Sequence, residues 1–229
     1  MKKTLTLFVL LLSLTLLFSE TFRFDDSWAS AGFNLTQRRD NGVGVVFSIE
    51  SFSFENTRIN GEEMQEITLP GVILPNDEGA PNLPGNGRYL ALPQGATAEL
   101  RIIASRTETY SDVNVAPAFR IPLDTEDGPL EYNRNLSIYN QNAFYPANPI
   151  QLGEQTNIRG VDAVMLGITP FQYNPVTKEL IVYRDIELEV NFVGGNGQFG
   201  VESLRSRWWD PILSDVFMNY ASLPRMDYS

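Results

Sequence analysis

The chain has 229 residues, 43% of them hydrophobic, and its 28 Asp and Glu against 17 Lys and Arg give a formal net charge of -11. Such an acidic chain is poorly suited to nucleic acid or anionic membrane surfaces, because both carry negative charge. The sequence contains no cysteine and no histidine, which excludes Cys-His and Ser-His-Asp catalysis, disulfides and zinc sites built on thiolate or imidazole. A hydrolase with two carboxylates from distant positions stays open, and no cofactor is expected.

Residues 1–19 have the pattern of a secretory signal peptide. Lys2 and Lys3 precede an apolar run from Leu5 to Phe18, which is short for a membrane-spanning helix. We therefore expect a signal peptide over residues 1–19, export across the bacterial inner membrane, and a product that is secreted or held at the cell surface. No membrane association is expected after signal removal. An uncleaved anchor is the alternative interpretation.

The next part of the chain predicts an irregular lead-in followed by a β-hairpin. Residues 20–42 are mixed and polar, without a clear period, and are expected to form an irregular N-terminal arm. The alternation of apolar residues over Val43–Phe54 predicts a strand. Asn60-Gly61 is a strong turn signal, so Met64–Leu69 is expected to return as the partner strand.

The middle of the chain predicts short strands between turns that are rich in proline and glycine. Further strands are predicted over Arg88–Leu92 and Ala98–Arg106, and the Pro122–Pro129 segment is polar and turn-prone, so an exposed loop is expected there. Short strands at this spacing are typical of an all-β protein. We predict an antiparallel β-sandwich or jelly-roll-like domain over residues 43–193, with a short C-terminal helix.

The segment from Val161 to Phe192 is predicted to be the central hairpin of the fold. Val161–Phe171 is apolar and β-branched, and the turn-rich Asn174–Lys178 cluster follows it. After the turn, apolar residues alternate with polar ones such as Asp185, so one face of the second strand is expected to be buried. Arg184 falls on the apolar side, which predicts a bulge or a strand end.

Residues 194–229 are expected to contain a glycine-rich connector, a short helix and a tail. Asp210 and Pro211 form a helix-start signal. A helix this short is marginal in water and needs a surface to dock on. Trp208 and Trp209 precede it. They are expected either to seal the helix onto the sandwich or to anchor it on a partner.

The hairpin segments Gln172–Lys178 and Leu180–Tyr183 and the tail segment Val216–Tyr220 are the most recognisable parts of the sequence. Shorter motifs precede them in order: Gly79-Ala80-Pro81 with Leu83-Pro84, Ala116-Pro117 and Phe144-Tyr145-Pro146. This ordered set resembles the propeptide domain of gingipain-type (family C25) cysteine peptidases, over residues 43–225.

The resemblance implies a β-sandwich propeptide that covers the cleft of a C25-type cysteine peptidase catalytic domain, in cis or in trans, and keeps it latent during export. Such a domain helps its peptidase to fold, is removed by proteolysis after a basic residue, and is not itself an enzyme. The family's inhibitory loop corresponds to Ala116–Pro129, where Arg120 is the basic residue. Arg225 corresponds to the processing site. The alternative for Arg120 is a surface arginine at a strand end.

Two other hypotheses stay open at this point. A secreted carbohydrate- or surface-binding β-sandwich module is compatible with the aromatic content of 11%, and it needs several aromatic side chains exposed on one sheet face. A free-standing protease inhibitor uses the same loop without an attached peptidase domain. Neither hypothesis requires a metal or a catalytic residue.

Overall fold

A computed structural model describes residues 19–72 and 77–227 of the chain. Its strands, in chain order, are β1 (Ser19–Arg23), β2 (Gly32–Arg39), β3 (Gly42–Ser48), β4 (Ser51–Ile59), β5 (Glu62–Thr68), β6 (Asn86–Ala91), β7 (Ala96–Tyr110), β8 (Ile150–Leu152), β9 (Thr156–Ile158), β10 (Val161–Ile168), β11 (Phe171–Asn174) and β12 (Glu179–Gly194). Two short helices are described, α1 (Leu136–Tyr139) and α2 (Asp210–Val216), with 3₁₀ turns at Glu202–Leu204 and Tyr220–Ser222. All pairs between these strands are antiparallel. The predicted all-β antiparallel fold with a short C-terminal helix is confirmed.

The long strand β12 is the centre of the largest sheet. It pairs with β7 along one edge, while β11 and β3 share its other edge and β2 lies outside β3. The even-numbered apolar side chains of β12 are buried, as the alternation predicts: Leu180, Val182, Ile186, Leu188, Val190 and Phe192. The pairing of β12 with β7 shifts by one residue between Tyr183 and Asp185, so the bulge predicted at Arg184 is confirmed.

The strand β10 does not pair with β12, which corrects the predicted hairpin. It forms a second sheet with β6, β8 and β9, and its buried residues face the core shared with β12. Pro170, which follows Ile168 and Thr169, has no N–H to donate and interrupts the ladder. The chain therefore changes sheets at this point, and only β11 forms the hairpin with β12 through the Asn174–Lys178 turn.

The third sheet has the order β1-β4-β5. Residues 20–42, expected as an irregular arm, instead contain most of β1 and all of β2. Both strands are edges with exposed side chains, which explains their polar sequence. Phe22 of β1 stacks on Phe52 with ring centroids 4.9 Å apart, so an aromatic contact holds this edge.

The turn signal located the β4–β5 hairpin correctly, but the single strand predicted over Val43–Phe54 is wrong, because this segment is divided between β3 and β4 in different sheets. Asn60 and Gly61 both have positive φ, at 52° and 85°, as a two-residue hairpin turn requires. The signal peptide predicted over residues 1–19 lies outside the described residues except for Ser19, the first residue of β1. In the described ranges, no helix is both long enough and apolar enough to cross a membrane.

Candidate functional site

The loop predicted to be inhibitory starts from a firmly held base. Backbone hydrogen bonds join Ala116 N–H to the Gln65 carbonyl of β5 at 2.8 Å and Ala118 N–H to the Ala80 carbonyl at 2.7 Å. Asn82 N–H donates to the Ala116 carbonyl at 2.9 Å, and both alanines are fully buried. This base forms isolated bridges rather than a regular strand.

Beyond the base, the loop projects into solvent. Arg120 N–H donates to the Glu131 carbonyl at 2.9 Å and closes the loop, and residues 121–131 are all exposed. Two large apolar side chains are among the exposed ones: Ile121 is 63% exposed and Leu123 is 66% exposed. The predicted exposed loop at Pro122–Pro129 is therefore confirmed, and it exposes apolar as well as polar side chains.

Arg120 lies at the foot of this loop and is paired within it. Its guanidinium contacts Glu126 at 2.8 Å and Glu131 at 3.3 Å, with a third of the side chain exposed. The hydrogen bonds to Glu126 and Glu131 raise the pKa of Arg120. The hydrogen bond from Arg120, helped by the Leu123 N–H, lowers the pKa of Glu126. These pairs are solvent-screened, so another carboxylate can replace them easily.

Arg134 is a second cation near the loop that the sequence analysis did not single out. Its guanidinium contacts Glu62 of β5 at 2.8 Å and lies 5.2 Å from the centre of the Tyr139 ring. It lines a cavity of about 310 Å³ together with Met64, Pro117 and Leu136. Arg134 lies outside the Ala116–Pro129 segment, and no local pattern marks it.

The C-terminal tail is docked on the edge strand β6 of the second sheet. Met218 N–H donates to the Tyr89 carbonyl at 2.9 Å. The Asn219 side chain then completes the pairing, because its amide accepts from Ala91 N–H at 2.8 Å and donates to the Ala91 carbonyl at 2.9 Å. Asn219 is fully buried, so its amide takes the place of a backbone group in the sheet.

A buried arginine joins the start of α2 to the end of the tail. Arg205 contacts both carboxylate oxygens of Asp210, at 2.8 and 2.7 Å, and donates to the Pro224 carbonyl at 2.8 Å. The Tyr220 hydroxyl lies 3.3 Å from the same guanidinium, and only 2% of the Arg205 side chain is exposed. Arg225, the predicted processing residue, follows Pro224 directly and is exposed.

The two tryptophans before α2 have different environments. Trp209 is partly buried, with the Arg159 guanidinium 3.6 Å from its ring centre, as expected of a residue that seals the helix. Trp208 is 73% exposed, so the sealing interpretation is wrong for this residue. Ile212 of α2 is also exposed, at 48%.

The predicted site residues thus lie beside different sheets. Arg120 is carried by the loop beside β5, whereas Arg225 follows the tail that docks on β6. Within the described residues, no group of three Asp or Glu side chains is placed to hold a metal ion. The arrangement offers an exposed, largely acidic loop with one paired arginine at its foot and an exposed arginine in the tail.

A family model and a curated relative both match this chain. A family model described as Propeptide_C25 matches residues 33–221. Gingipain R2 of Porphyromonas gingivalis is 26% identical over 182 residues, which are 77% of this chain and 24% of that protein. The chain therefore spans about a quarter of the length of this curated relative.

Two solved structures have a similar fold. The complex of Porphyromonas gingivalis RgpB pro- and mature domains contains a chain with a TM-score of 0.72 and 25% identity, covering 82% of this chain and 97% of that one. A structure described as an insight into the zymogenic latency of gingipain K from the same organism gives a TM-score of 0.64 at 24% identity. It covers 78% of this chain and 100% of that one, and it shows the fold alone.

Proposed function

This chain belongs to the C25 propeptide family, and on that premise we propose that it covers and inhibits a gingipain-like cysteine peptidase until proteolysis removes it. The family is one of propeptides, so the chain is a non-catalytic domain. The proposal also includes assistance to the folding of the peptidase domain. That domain is either part of the same polypeptide (in cis) or a separate chain (in trans). The proposal further includes export by the signal peptide at residues 1–19.

The exposed loop carries the proposed inhibition. Arg120 enters the specificity pocket of an Arg- or Lys-directed peptidase, with its carbonyl carbon held away from the nucleophile so that the loop binds without being cut. A carboxylate in the pocket replaces Glu126 and Glu131, whose contacts with Arg120 are open to solvent. The base at Ala116 and Ala118 limits the entropy lost on binding, because its backbone is already ordered.

The apolar side chains of the loop supply the rest of the contact. Ile121 and Leu123 follow Arg120 in the loop and are exposed in the free domain, so covering them removes apolar surface from water. A specific complex of this kind buries about 800 Å² on each partner. The loop supplies a basic anchor, Arg120, with apolar side chains beside it. Such a combination is typical of the centre of a protein interface.

Removal of the domain is proposed to occur after Arg225. In this proposal, residues 43–193 form the covering domain together with the edge strands β1 and β2 that pair with them, while residues 194–229 hold the connector, the short helix and the processing tail. Arg225 is exposed at the end of that tail, and exposed segments near chain ends are preferred sites of proteolysis.

An inhibition assay tests the proposal. The purified chain, added at micromolar concentration to the mature C25-type peptidase of the same organism, is expected to abolish hydrolysis of a small Arg or Lys substrate. Full activity in the presence of excess chain would reject the inhibitory role. Because the chain is added separately, the same assay also covers the free-standing inhibitor, which differs only in lacking an attached peptidase.

The carbohydrate-binding alternative receives little support from the surface. Among the described aromatic residues, only Trp28 and Trp208 are exposed. They belong to distant elements, since Trp28 N–H bonds to Asp185 of β12 and Trp208 precedes α2. A flat row of aromatic rings on one sheet face, which sugar binding would need, is not formed by these two residues.

A further inference from the structure

The tail between α2 and Arg225 is held at successive points along its length. Asn219 is fixed to Ala91 by the two side-chain hydrogen bonds described above. Leu223 is buried, with an exposed fraction of 6%, and its N–H donates to the Tyr220 carbonyl at 2.9 Å. The last of these points is the Pro224 carbonyl, which accepts from Arg205 at 2.8 Å.

Arg205 is the group that ties these points together. Its guanidinium has a planar fork of donors, which here serves Asp210, Tyr220 and Pro224 at once. Lysine has one ammonium and cannot reproduce this arrangement. A hydrogen bond from a buried, charged donor is stronger than one between neutral groups. The contact to Pro224 therefore holds the residue that immediately precedes Arg225.

Cleavage after Arg225 requires an extended tail, whereas the packing described above holds the tail folded. A peptidase binds several residues of its substrate as an extended strand, through main-chain hydrogen bonds and side-chain pockets. In this structure the Pro224 carbonyl is occupied by Arg205 and the Leu223 side chain is in the core. The residues before the cleaved bond can enter a cleft only after a local opening of the tail.

We propose that Arg205 is a positioning residue for processing: it latches Pro224 to Asp210 and Tyr220, and cleavage after Arg225 takes place only from the state in which this latch is open. The proposal rests on the proposed function, in which Arg225 is the processing residue. It adds a control step, because the strength of the latch sets how often the tail is available for cleavage.

Limited proteolysis of the full chain with trypsin tests the latch without a C25 peptidase. The rate of cutting after Arg225 is measured by intact mass for the wild type and for Arg205→Lys. We expect the substitution to raise this rate at least tenfold, equivalent to about 1.4 kcal/mol of lost latch free energy. The opening equilibrium controls the rate when reclosing is faster than cleavage.

Two internal controls separate the latch from a general loss of stability. Arg207→Lys changes a neighbouring exposed arginine whose guanidinium lies over Trp208, and it should leave the rate unchanged within twofold. Cutting after Arg106 requires opening of the paired strand β7, which makes no contact with the latch residues in its strand pairing. An equal acceleration after Arg106 and Arg225 in Arg205→Lys, or no acceleration after Arg225, would overturn the proposal.

A milder variant covers the case in which Arg205→Lys does not fold. Tyr220→Phe removes only the hydroxyl that contacts Arg205 and Asp210, and it should speed both cutting after Arg225 and hydrogen exchange of the Leu223 amide several-fold. Unchanged rates in Tyr220→Phe would also count against the latch. Failure of the inhibition assay would reject the inhibitory function instead, whatever the trypsin result.

Discussion

Arg120 combines two properties that an inhibitory side chain needs, since it is held in place and yet accessible. Its backbone is bridged to Glu131, while its guanidinium is a third exposed and paired with two carboxylates of its own loop. Loops that are complementary to a pocket before binding lose less entropy when they enter it. The two glutamates also keep the cation neutralised in the free domain.

The first prediction concerns this arginine. Arg120→Ala should weaken inhibition of the mature peptidase at least tenfold, because a central arginine anchor is lost from the interface. Arg101→Ala is the matched control, since Arg101 is exposed and pairs with Glu189 on the central sheet. Inhibition constants for both variants provide the measurement, and equal constants for the two variants would remove Arg120 from the mechanism.

Asp185 shows what residue-level periodicity cannot reveal. The alternation places it on the polar side of β12, yet it is fully buried. The reason is that residues near Trp28 fold over that face: Trp28 N–H donates to Asp185 at 2.8 Å, and Ser48 donates at 2.6 Å. Arg106 supplies the opposite charge. Trp28 lies 157 residues before Asp185 in the chain, so no local pattern around Asp185 predicts its burial.

At the scale of elements, local signals were sufficient for hairpins and insufficient for sheet partners. The β4–β5 and β11–β12 hairpins follow from turn chemistry and alternation within one short segment. The longest pairing of β10 is with β6, which is distant in sequence, so no pattern near β10 identifies that partner. The edge strands β1 and β2 were missed for the same reason, because their order depends on pairing with β4 and β3.

The candidate site likewise contains one feature that the sequence predicts and one that it does not. The exposure of the loop at Pro122–Pro129 follows from its polar, proline-bounded sequence. The role of Arg205 does not, because its partners Asp210, Tyr220 and Pro224 are brought together only when α2 and the tail dock on β6. A lone arginine in a sequence is usually read as a surface residue.

The second prediction tests how the tail is docked. Asn219→Ala leaves Ala91 N–H and carbonyl without their partner in a buried position, and each unpaired group costs free energy. The free energy of unfolding should fall by about 2 kcal/mol in urea titrations. Asn196→Ala, at an exposed side chain that bonds to Gln94, is the control. A loss no larger than in this control would show that other contacts dock the tail.

At the scale of the whole molecule, one continuous core joins the sheets and the tail. Leu213 and Phe217 of the C-terminal region share this core with β10 and β12. Ala116 of the loop base packs in a separate cluster with Ile59 and Met64. Two tyrosines, Tyr139 partly buried and Tyr173 buried, tie the residues just before it to the main core, because Tyr139 donates to the Val115 carbonyl at 3.1 Å and Tyr173 donates to the Val113 carbonyl at 3.0 Å. The base of the loop therefore depends on the stability of the whole domain.

The third prediction concerns alkaline pH. Burial raises the pKa of Tyr139 and of Tyr173 above the ordinary value of 10.0. The folded state thus keeps protons that the unfolded state loses, and the stabilisation is complete below about pH 10 and declines as the pH rises further. Urea unfolding between pH 8 and pH 11 should show this decline, with a shallower slope for Tyr139→Phe. A constant free energy across that interval would contradict the assignment.

Steady-state kinetics of the mature peptidase with added chain tests most directly whether this domain covers the active-site cleft. If the loop occupies the specificity pocket, inhibition is competitive, so the apparent inhibition constant rises linearly with the concentration of a small Arg or Lys substrate. We expect this linear rise with an unchanged kcat. Inhibition that is independent of substrate concentration, or no inhibition at all, would contradict the proposal that the domain acts by covering the cleft.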